Sequence, residues 1–290
     1  SSKITVARGT PVFLTDRRET HLNKEISGLE AQLDPIQTSC QRGSAFILSL
    51  PAGTKKKSRL VEIPVFRSLA GTNPPERFGL WLSGGIIKKM SGKIVSRVNW
   101  WLRPIIWPDN ENAVNEQVQL AIKKGGRHFV LNAPWQIAFF KKREGFKLWA
   151  GPFCNLANPL AFEIAGTMGF YGAVVSPELG SGDYLRLPRH SPIPLGIVTG
   201  GNWPLCVART LAQDVRQHKP FSSPMGEQAW VTRHGSDYWI YPNWKLDLRA
   251  HKDALRKAGY VLFVDLIEPL PKGVKMKRRK GLWNWSINLR

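Results

Sequence analysis

The sequence has few cysteines. Only three occur in 290 residues, Cys40, Cys154 and Cys206, and they lie far apart along the chain. An odd number of widely spaced cysteines predicts neither a disulfide framework nor a C-x-x-C metal knuckle. We therefore expect reduced thiols, a cytoplasmic location and no metal ligands.

Long apolar runs are absent too. No stretch reaches the roughly 18 residues that a membrane-spanning helix needs, and no signal peptide opens the chain. We therefore expect no membrane partner. The chain begins SSKITVARGT, without an initiator methionine, and we expect a processed product or a fragment of a longer protein.

Three common catalytic motifs are also missing. The sequence contains no GxSxG elbow, no HExxH pair and no GxxxxGK[ST] loop. The hydrolase and nucleotidase chemistries that depend on these motifs therefore have no support.

Acidic residues are scarce relative to basic ones. The chain has 21 Asp and Glu against 42 Lys and Arg, a formal net charge of +21. Such an excess attracts polyanions, with RNA or DNA first and an anionic membrane surface second. The alternative is a basic surface that only aids solubility. We expect RNA or another polyanion as a partner.

The first 76 residues are predicted to form a small strand–helix linker or subdomain. Leu22, Ile26, Leu29 and Leu33 recur at helical spacing, which predicts an amphipathic helix that ends near Pro35. Two apolar strands follow, SAFILSL and LVEIPVF, separated by a basic turn. A segment of this length is too short to bury an independent core.

Residues 77–290 are predicted to form a parallel β/α barrel of the TIM type. Stretches that could form helices separate most of the short apolar runs, the pattern of parallel β-α units, and eight such units close a barrel. Residues 203–228 are irregular, so we expect a distorted barrel, with an open doubly wound sheet as the alternative. The eight predicted strands are FGLWLS (78–83), RVNWWLRPII (97–106), HFVLN (128–132), KLWAGP (147–152), GAVVSPE (172–178), PLGIVTGG (194–201), AWVTRHGSDYWIYP (229–242) and YVLFVDLIE (260–268).

Polar residues follow most of these strands, where β/α barrels place their functional groups. We expect Asn155 and Asn158 to donate hydrogen bonds to an anionic or carbonyl group and Glu178 to accept one. His234 is a candidate general base because it lies beside Asp237 in the sequence. Each residue also has a structural alternative: Asn158 precedes Pro159 as a helix N-cap would, and a lone loop histidine is more often a surface residue. The catalytic candidates are Asn155, Asn158, Glu178, His234 and Asp237, and the substrate-binding candidates are Arg103, Asn132, Ser176 and Asn202.

Basic residues lie beside tryptophans in several places, a combination that suits base stacking next to phosphate contacts. The densest basic run is PKGVKMKRRK, before GLWNW. The alternative is a solvated tail. The predicted nucleic-acid contacts are Lys272, Lys275, Lys277, Arg278, Arg279, Lys280 and Trp283.

Three further segments combine glycine, asparagine and aromatic residues: GPFCNLANPLAFEIAGTMGFYGAVVSPEL (151–179), GIVTGGNWPLCVAR (196–209) and GLWNWSINL (281–289). These segments resemble the collagenase-like peptidases, peptidase U family 32. The resemblance covers about 95–290, and its first segment is the most specific. It implies a bacterial barrel protein of a family that was named for proteolysis. Other members resemble oxygen-independent hydroxylases of RNA bases or quinone precursors.

The resemblance implies an iron–sulfur cluster in some members, but this chain departs from that pattern. A cluster needs about four thiolates, and residues 200–245 supply only Cys206. We therefore expect no cluster on this chain alone, unless a missing domain or partner adds cysteines. Longer members carry an N-terminal barrel with the cysteines and a degenerate second barrel. We expect a C-terminal half that works with an N-terminal partner barrel or a second subunit, either as an enzyme component or as an RNA-binding module.

Overall fold

The structure is a computed structural model that describes residues 20–21, 23–32, 50–53, 60–213, 215–222, 226–277 and 285. The chain divides into two compact units, residues 1–49 and 50–290. In the first unit, residues 20–21 and 23–32 form helix α1, as the leucine spacing predicts. Its Ile26 and Leu29 side chains are exposed. Leu22, Leu33 and the end of the helix near Pro35 lie outside the described residues.

The second unit is a closed barrel of eight parallel strands, and the fold class predicted from the sequence is confirmed. Each strand pairs with its neighbours in chain order, and the last strand pairs with the first. Most strand residues are buried, as expected for parallel strands covered on both faces. The barrel strands are β1 (Val61–Phe66), β2 (Phe78–Trp81), β3 (Val98–Trp101), β4 (His128–Leu131), β5 (Lys147–Ala150), β6 (Gly172–Val174), β7 (Leu195–Gly201) and β13 (Leu262–Leu266).

Helices and short 3-10 turns connect these strands. The longest helix begins at Pro108, has Asp109 and Glu111 in its first turn and Lys123 in its last, charges that complement the helix dipole. The helices are α2 (Gly84–Lys89), α3 (Gly92–Val95), α4 (Pro108–Lys123), α5 (Pro159–Thr167), α6 (Ser181–Arg186) and α7 (Lys252–Ala258), and the 3-10 turns are Pro134–Phe139, Pro152–Cys154, Leu187–His190 and Arg249–His251.

The first barrel strand lies earlier in the chain than the sequence predicts. Strand β1 is the run LVEIPVF, which we assigned to the preceding linker, and it pairs in parallel with both β13 and β2. The barrel unit accordingly begins at residue 50 rather than 77. Pro64 lies within this strand, although proline has no N–H to donate to a sheet. Pairing with β2 starts only at Val65, one residue after the proline.

A small antiparallel sheet is inserted between β7 and β13. It consists of β8 (Cys206–Ala208), β9 (Pro220–Ser222), β10 (Gln228–His234) and β11 (Asp237–Pro242), in the order β8-β11-β10-β9. The prediction that residues 229–242 form one barrel strand was wrong, because they fold as the β10–β11 hairpin. A two-residue loop joins His234 to Asp237, and its Gly235 has a φ of 67°. Strand β12 (Leu246–Asp247) then pairs antiparallel with β7.

Candidate functional site at the barrel mouth

The inserted sheet covers the carboxyl-terminal end of the barrel, here called the mouth. The inner face of the sheet carries Trp230, Thr232, Trp239 and Tyr241, which pair across the hairpin and are all buried. The outer face carries Arg233 opposite Tyr238. Residues that follow the barrel strands meet the inner face, so the mouth is formed jointly by barrel and sheet.

Arg67 lies at the centre of the mouth, directly after β1. Its guanidinium lies between two indole rings, with Cζ 3.9 Å from the centroid of Trp81 and 4.2 Å from that of Trp239. Its Nε donates to Glu268 Oε1 at 2.7 Å and its Nη2 to the Tyr241 hydroxyl at 3.1 Å. Arginine therefore links the ends of β1, β2 and β13 to the inserted sheet through cation–π and charge-assisted contacts.

Glu268 is buried between Arg67 and His234. Its Oε2 lies 3.2 Å from His234 Nε2, although the two atoms are not aligned for a hydrogen bond. Burial alone would raise the pKa of the Glu268 carboxyl, but Arg67, His234 and Tyr241 outweigh it and hold that pKa below its ordinary value. Glu268 is therefore ionised at neutral pH. His234 was predicted to act beside Asp237, but its nearest carboxylate is Glu268.

Aromatic rings fill the space around this cluster. Trp81 contacts Trp239 edge-on with centroids 5.2 Å apart, and Phe153 stacks on Trp203 at 4.5 Å. Phe153 also meets Trp81 and Trp239, at 6.3 and 5.7 Å. Such edge-to-face and offset arrangements are favoured between aromatic side chains. The mouth is therefore a packed layer of side chains in which a polar cluster is enclosed.

Asp237 anchors a second polar group at the edge of the mouth. Its Oδ1 accepts hydrogen bonds from Trp107 Nε1 at 2.8 Å and Ser236 Oγ at 3.2 Å. Its Oδ2 lies 3.7 Å from Arg103 Nη1. The buried carboxylate therefore holds the hairpin turn against the segment after β3. The exposed Arg209 lies over the Trp107 ring, with Cζ 4.8 Å from its centroid.

The predicted residues after β5 and β6 form a local network. Asn155 has a left-handed backbone (φ 52°), and its side-chain oxygen accepts from the buried Ser176 hydroxyl. Asn158 caps α5, because its Oδ1 accepts from Ala161 N at 2.9 Å, which confirms the helix-cap interpretation. Glu178 is exposed, and its backbone N–H donates to Ser176 Oγ at 3.3 Å.

The two predicted amides after β4 and β7 are buried. Asn132 Nδ2 donates to Leu102 O at 2.7 Å, while its Oδ1 faces Gly151 and has no partner among the described residues. Asn202 Nδ2 likewise lacks a described partner. The predicted site residues therefore lie in separate places: Asn132 packs between β3 and β4, and the Asn155–Ser176 pair lies beside α5.

Part of the basic tail is described. Lys272, Lys275 and Lys277 are exposed, and Lys277 N donates to Asn243 O at 2.6 Å. Further along, the Trp285 ring stacks on His251, with centroids 3.9 Å apart. The other predicted contacts, Arg278, Arg279, Lys280 and Trp283, lie outside the described residues.

The described cysteines do not fit an iron–sulfur cluster. Cys154 Sγ donates to Leu131 O at 3.2 Å, and burial raises the pKa of its thiol to about 12. Cys206 is exposed on β8, and Cys40 lies outside the described residues. Two thiols, one of them strongly protonated, fall short of four thiolate ligands. In the described part of the chain, no group of three or more His, Cys, Asp or Glu side chains is arranged to hold a metal ion.

Arg67, Trp81 and Tyr241 are mouth residues that sequence reasoning missed. Arg67 directly follows LVEIPVF, and Glu268 closes YVLFVDLIE, so both occupy strand-end positions. Assigning LVEIPVF to the barrel would have brought Arg67 into the set. Tyr241 was not predicted because a single strand over residues 229–242 places it inside the strand rather than at its end.

Comparison with known proteins returns a structural likeness. No protein-family model matches the sequence, and no curated protein matches it. Among solved structures, the chain is similar to the U32 peptidase Mk0906, with a TM-score of 0.44 and 12% sequence identity. The match covers 77% of this chain and 99% of that chain. The sequence motifs and this solved structure point to the same family name, peptidase U32.

Proposed function

We propose that this chain is a nucleic-acid-binding β/α barrel that contacts single-stranded RNA through its basic surface. The observation that carries the proposal is the charge of +21, with 42 basic residues against 21 acidic ones. Ion pairs within the chain cannot neutralise such an excess, so it attracts polyanions. Of the described helices, none is long and apolar enough to cross a bilayer.

The packed mouth favours a binding role over catalysis. Arg67, Glu268 and Tyr241 are bound to one another, and their side chains are almost fully buried. A substrate reaching this cluster would first have to displace the inserted sheet. The cluster therefore serves best as the attachment of the sheet to the barrel, and it leaves the outer face of the sheet for ligands.

The outer face of the inserted sheet suits RNA. On this face Arg233 lies over the Tyr238 ring, with Cζ 5.5 Å from the centroid, and at the edge of the mouth Arg209 lies over the Trp107 ring. Both arginines are exposed. A guanidinium beside an aromatic ring offers a phosphate contact next to a stacking surface, the combination that single-stranded nucleic acids use.

Salt-dependent binding tests the proposal. Each phosphate contact with single-stranded RNA contributes about −0.7 to the log–log slope of affinity against salt. A variant with Lys272, Lys275 and Lys277 changed to Gln should flatten the slope by about two if all three contact phosphate. A variant with Lys88, Lys89 and Lys93 changed to Gln removes the same charge elsewhere and should leave the slope unchanged.

Substitution is preferable to truncation of the tail. Trp285 stacks on His251, and its carbonyl accepts from Ser181 N at 3.0 Å, so a shortened chain would also lose packing. Equal slopes for the wild type and both triple variants would contradict the tail contact. No binding of RNA by the wild type at low salt would contradict the proposal as a whole.

A second candidate function is peptidase or hydroxylase chemistry at the mouth, favoured by His234. Its side chain is 20% exposed, and its Nε2 lies 3.2 Å from Oε2 of the buried Glu268 carboxylate, so a carboxylate neighbours this candidate general base. Cleavage of gelatin by the purified chain that is lost in His234→Gln would support this candidate. Cleavage that survives in the variant would remove His234 from it.

A further inference from the structure

A cavity lies at the end of the barrel opposite the mouth. It has a volume of about 760 Å³ and is lined by residues at or near the starts of the barrel strands. Cavities of roughly 300–1,000 Å³ are typical of small-molecule sites. This cavity lies on the amino-terminal side, away from Arg67, the inserted sheet and every site predicted from the sequence.

Strand register brings polar side chains together on the wall of this cavity. Asn99, His128 and Lys147 are register neighbours on β3, β4 and β5. Arg77 and Arg97 also line the cavity. Arg77 directly precedes Phe78 and Arg97 directly precedes Val98, and these two residues are register neighbours on β2 and β3. Four basic or titratable side chains, those of Arg77, Arg97, His128 and Lys147, therefore line the same cavity.

The cations of the cavity outnumber its available carboxylates. Arg77 and Lys147 form no ion pair among the described residues, and Arg97 Nε donates to the carbonyl of Glu76 at 2.9 Å. One of the two lining carboxylates, Glu62, is bound to Lys252. Uncompensated cations around a concave space favour an anionic ligand.

The pKa of His128 is affected by the positive charges around the cavity. Burial, and then the charges of Lys147 and Arg77, lower the pKa of its imidazole. The other charged groups that line the cavity are Arg97, Glu62 and Glu76. A bound anion would oppose the effect of the two cations, so His128 reports on occupancy.

An aromatic surface completes the cavity. The Tyr171 ring is 39% exposed and packs edge-on against Trp149, with centroids 5.7 Å apart. Lys147 Nζ lies 5.3 Å from the Tyr171 ring centroid. The cation lies over one face of the ring, so a base would stack on the other face while the cation meets the phosphate.

We propose that this cavity binds a nucleotide unit, with the base on Tyr171 and the phosphate held by Arg77, Arg97 and Lys147. The ligand is either a free nucleoside monophosphate or one nucleotide of an RNA strand, because the two share this chemistry. The proposal uses residues outside the tail and the inserted sheet, so it stands or fails independently of the RNA contact proposed above.

NMR of ¹³C-labelled histidine tests the site, with the His128 signal assigned through His128→Gln. Addition of AMP should shift the His128 signal and raise its pKa, because the phosphate offsets Lys147 and Arg77. Adenosine and inorganic phosphate should each bind at least about tenfold more weakly than AMP, since each lacks one half of the contacts. The proposal would be overturned if the His128 signal changed neither with about 10 mM AMP nor with a short single-stranded RNA.

Matched variants separate the site from general charge. Arg77→Ala and Lys147→Ala should each weaken AMP binding about tenfold, whereas Lys219→Ala, directly before β9 of the inserted sheet, should not. Tyr171→Leu should weaken AMP but not inorganic phosphate. All these side chains are exposed, and an unchanged melting temperature would show that each variant folds. Equal AMP affinity in Arg77→Glu and the wild type would refute the assignment.

A response to the RNA strand but not to AMP would identify the ligand as a nucleotide within RNA. A response to AMP alone would identify a free nucleotide. Binding of AMP that persists in Lys219→Ala and weakens in Lys147→Ala supports the site even if the tail variants leave the RNA salt slope unchanged.

Discussion

Glu268→Gln is expected to destabilise the barrel strongly at neutral pH. Glu268 and Arg67 are 2.7 Å apart, and their side chains are only 3% and 9% exposed. Removing one member of a buried ion pair leaves the other charge uncompensated, which costs about 3–5 kcal/mol. The Trp81 and Trp239 rings still cover the guanidinium and retain a cation–π contribution. We therefore expect a loss of about 3 kcal/mol in the free energy of unfolding.

The effect should depend on pH in a defined direction. The folded-state pKa of Glu268 is below its ordinary value of 4.5, so ionised Glu268 stabilises the folded state. That contribution is fully present above the unfolded-state pKa and is lost as pH falls through the folded-state value. The difference between wild type and Glu268→Gln should therefore shrink as the solution is made acidic enough to protonate the carboxyl.

Urea unfolding followed by tryptophan fluorescence, at neutral pH and in mild acid, measures both effects. The double variant Arg67→Met with Glu268→Leu is the matched control, because replacing a whole buried ion pair by apolar side chains is often close to neutral. A neutral-pH loss under about 1 kcal/mol in Glu268→Gln would refute the reasoning, as would a double variant no more stable than the single one.

Two further predictions follow from the residues near α5. Asn158→Ala should lower the free energy of unfolding by about 1 kcal/mol, because it removes the hydrogen bond to Ala161 N. Thermal unfolding measures this loss, with Asn158→Ser as the control that keeps a capping oxygen, and equal stability of all three proteins would contradict it. Cys154 should resist iodoacetamide at pH 8 in the folded protein, because burial raises the pKa of its thiol to about 12. Peptide mass mapping should find Cys206 modified before Cys154, and equal rates for these two thiols would show that Cys154 is more accessible than the structure indicates.

Most of the barrel could be predicted from the sequence because its strands are short apolar runs that alternate with helices. Runs such as HFVLN and KLWAGP contain β4 and β5, which are buried on both faces. The periodicity of a parallel strand is weak, but its length and the helix that follows are informative. The closed barrel followed from counting eight such units.

The predicted number of barrel strands was right, but one of the eight predicted strands was wrong. Residues 229–242 contain a hairpin whose turn, Gly235–Ser236, is a two-residue loop of the kind that begins with glycine. Reading through this turn merged β10 and β11 into a single strand. The remaining barrel strand, β1, lies before residue 77, where the regular succession of apolar runs begins, and was therefore assigned to the linker. Both errors came from local sequence patterns, and only long-range strand pairing resolves them.

The candidate site was harder to predict because its members come together across the barrel. His234 and Asp237 are neighbours in sequence and register, but they point into different groups, one toward Glu268 and the other toward Trp107 and Arg103. Sequence proximity indicated a pair of catalytic residues. Three-dimensional packing assigns each residue to a different contact between sheet and barrel.

The two ends of the barrel differ in what a ligand must overcome. At the mouth, entry would break the Arg67–Tyr241 hydrogen bond and separate Trp239 from Trp81, contacts that join residues 174 and 158 positions apart in the chain. The Arg67–Glu268 ion pair joins two residues of the barrel. It would therefore remain intact, and the Glu268 carboxylate would still neutralise Arg67 when the sheet moves. At the opposite end, Arg77, Lys147 and Tyr171 are already exposed around an open cavity. Ligand binding there needs no displacement of the inserted sheet, which is why we place the nucleotide site at that end.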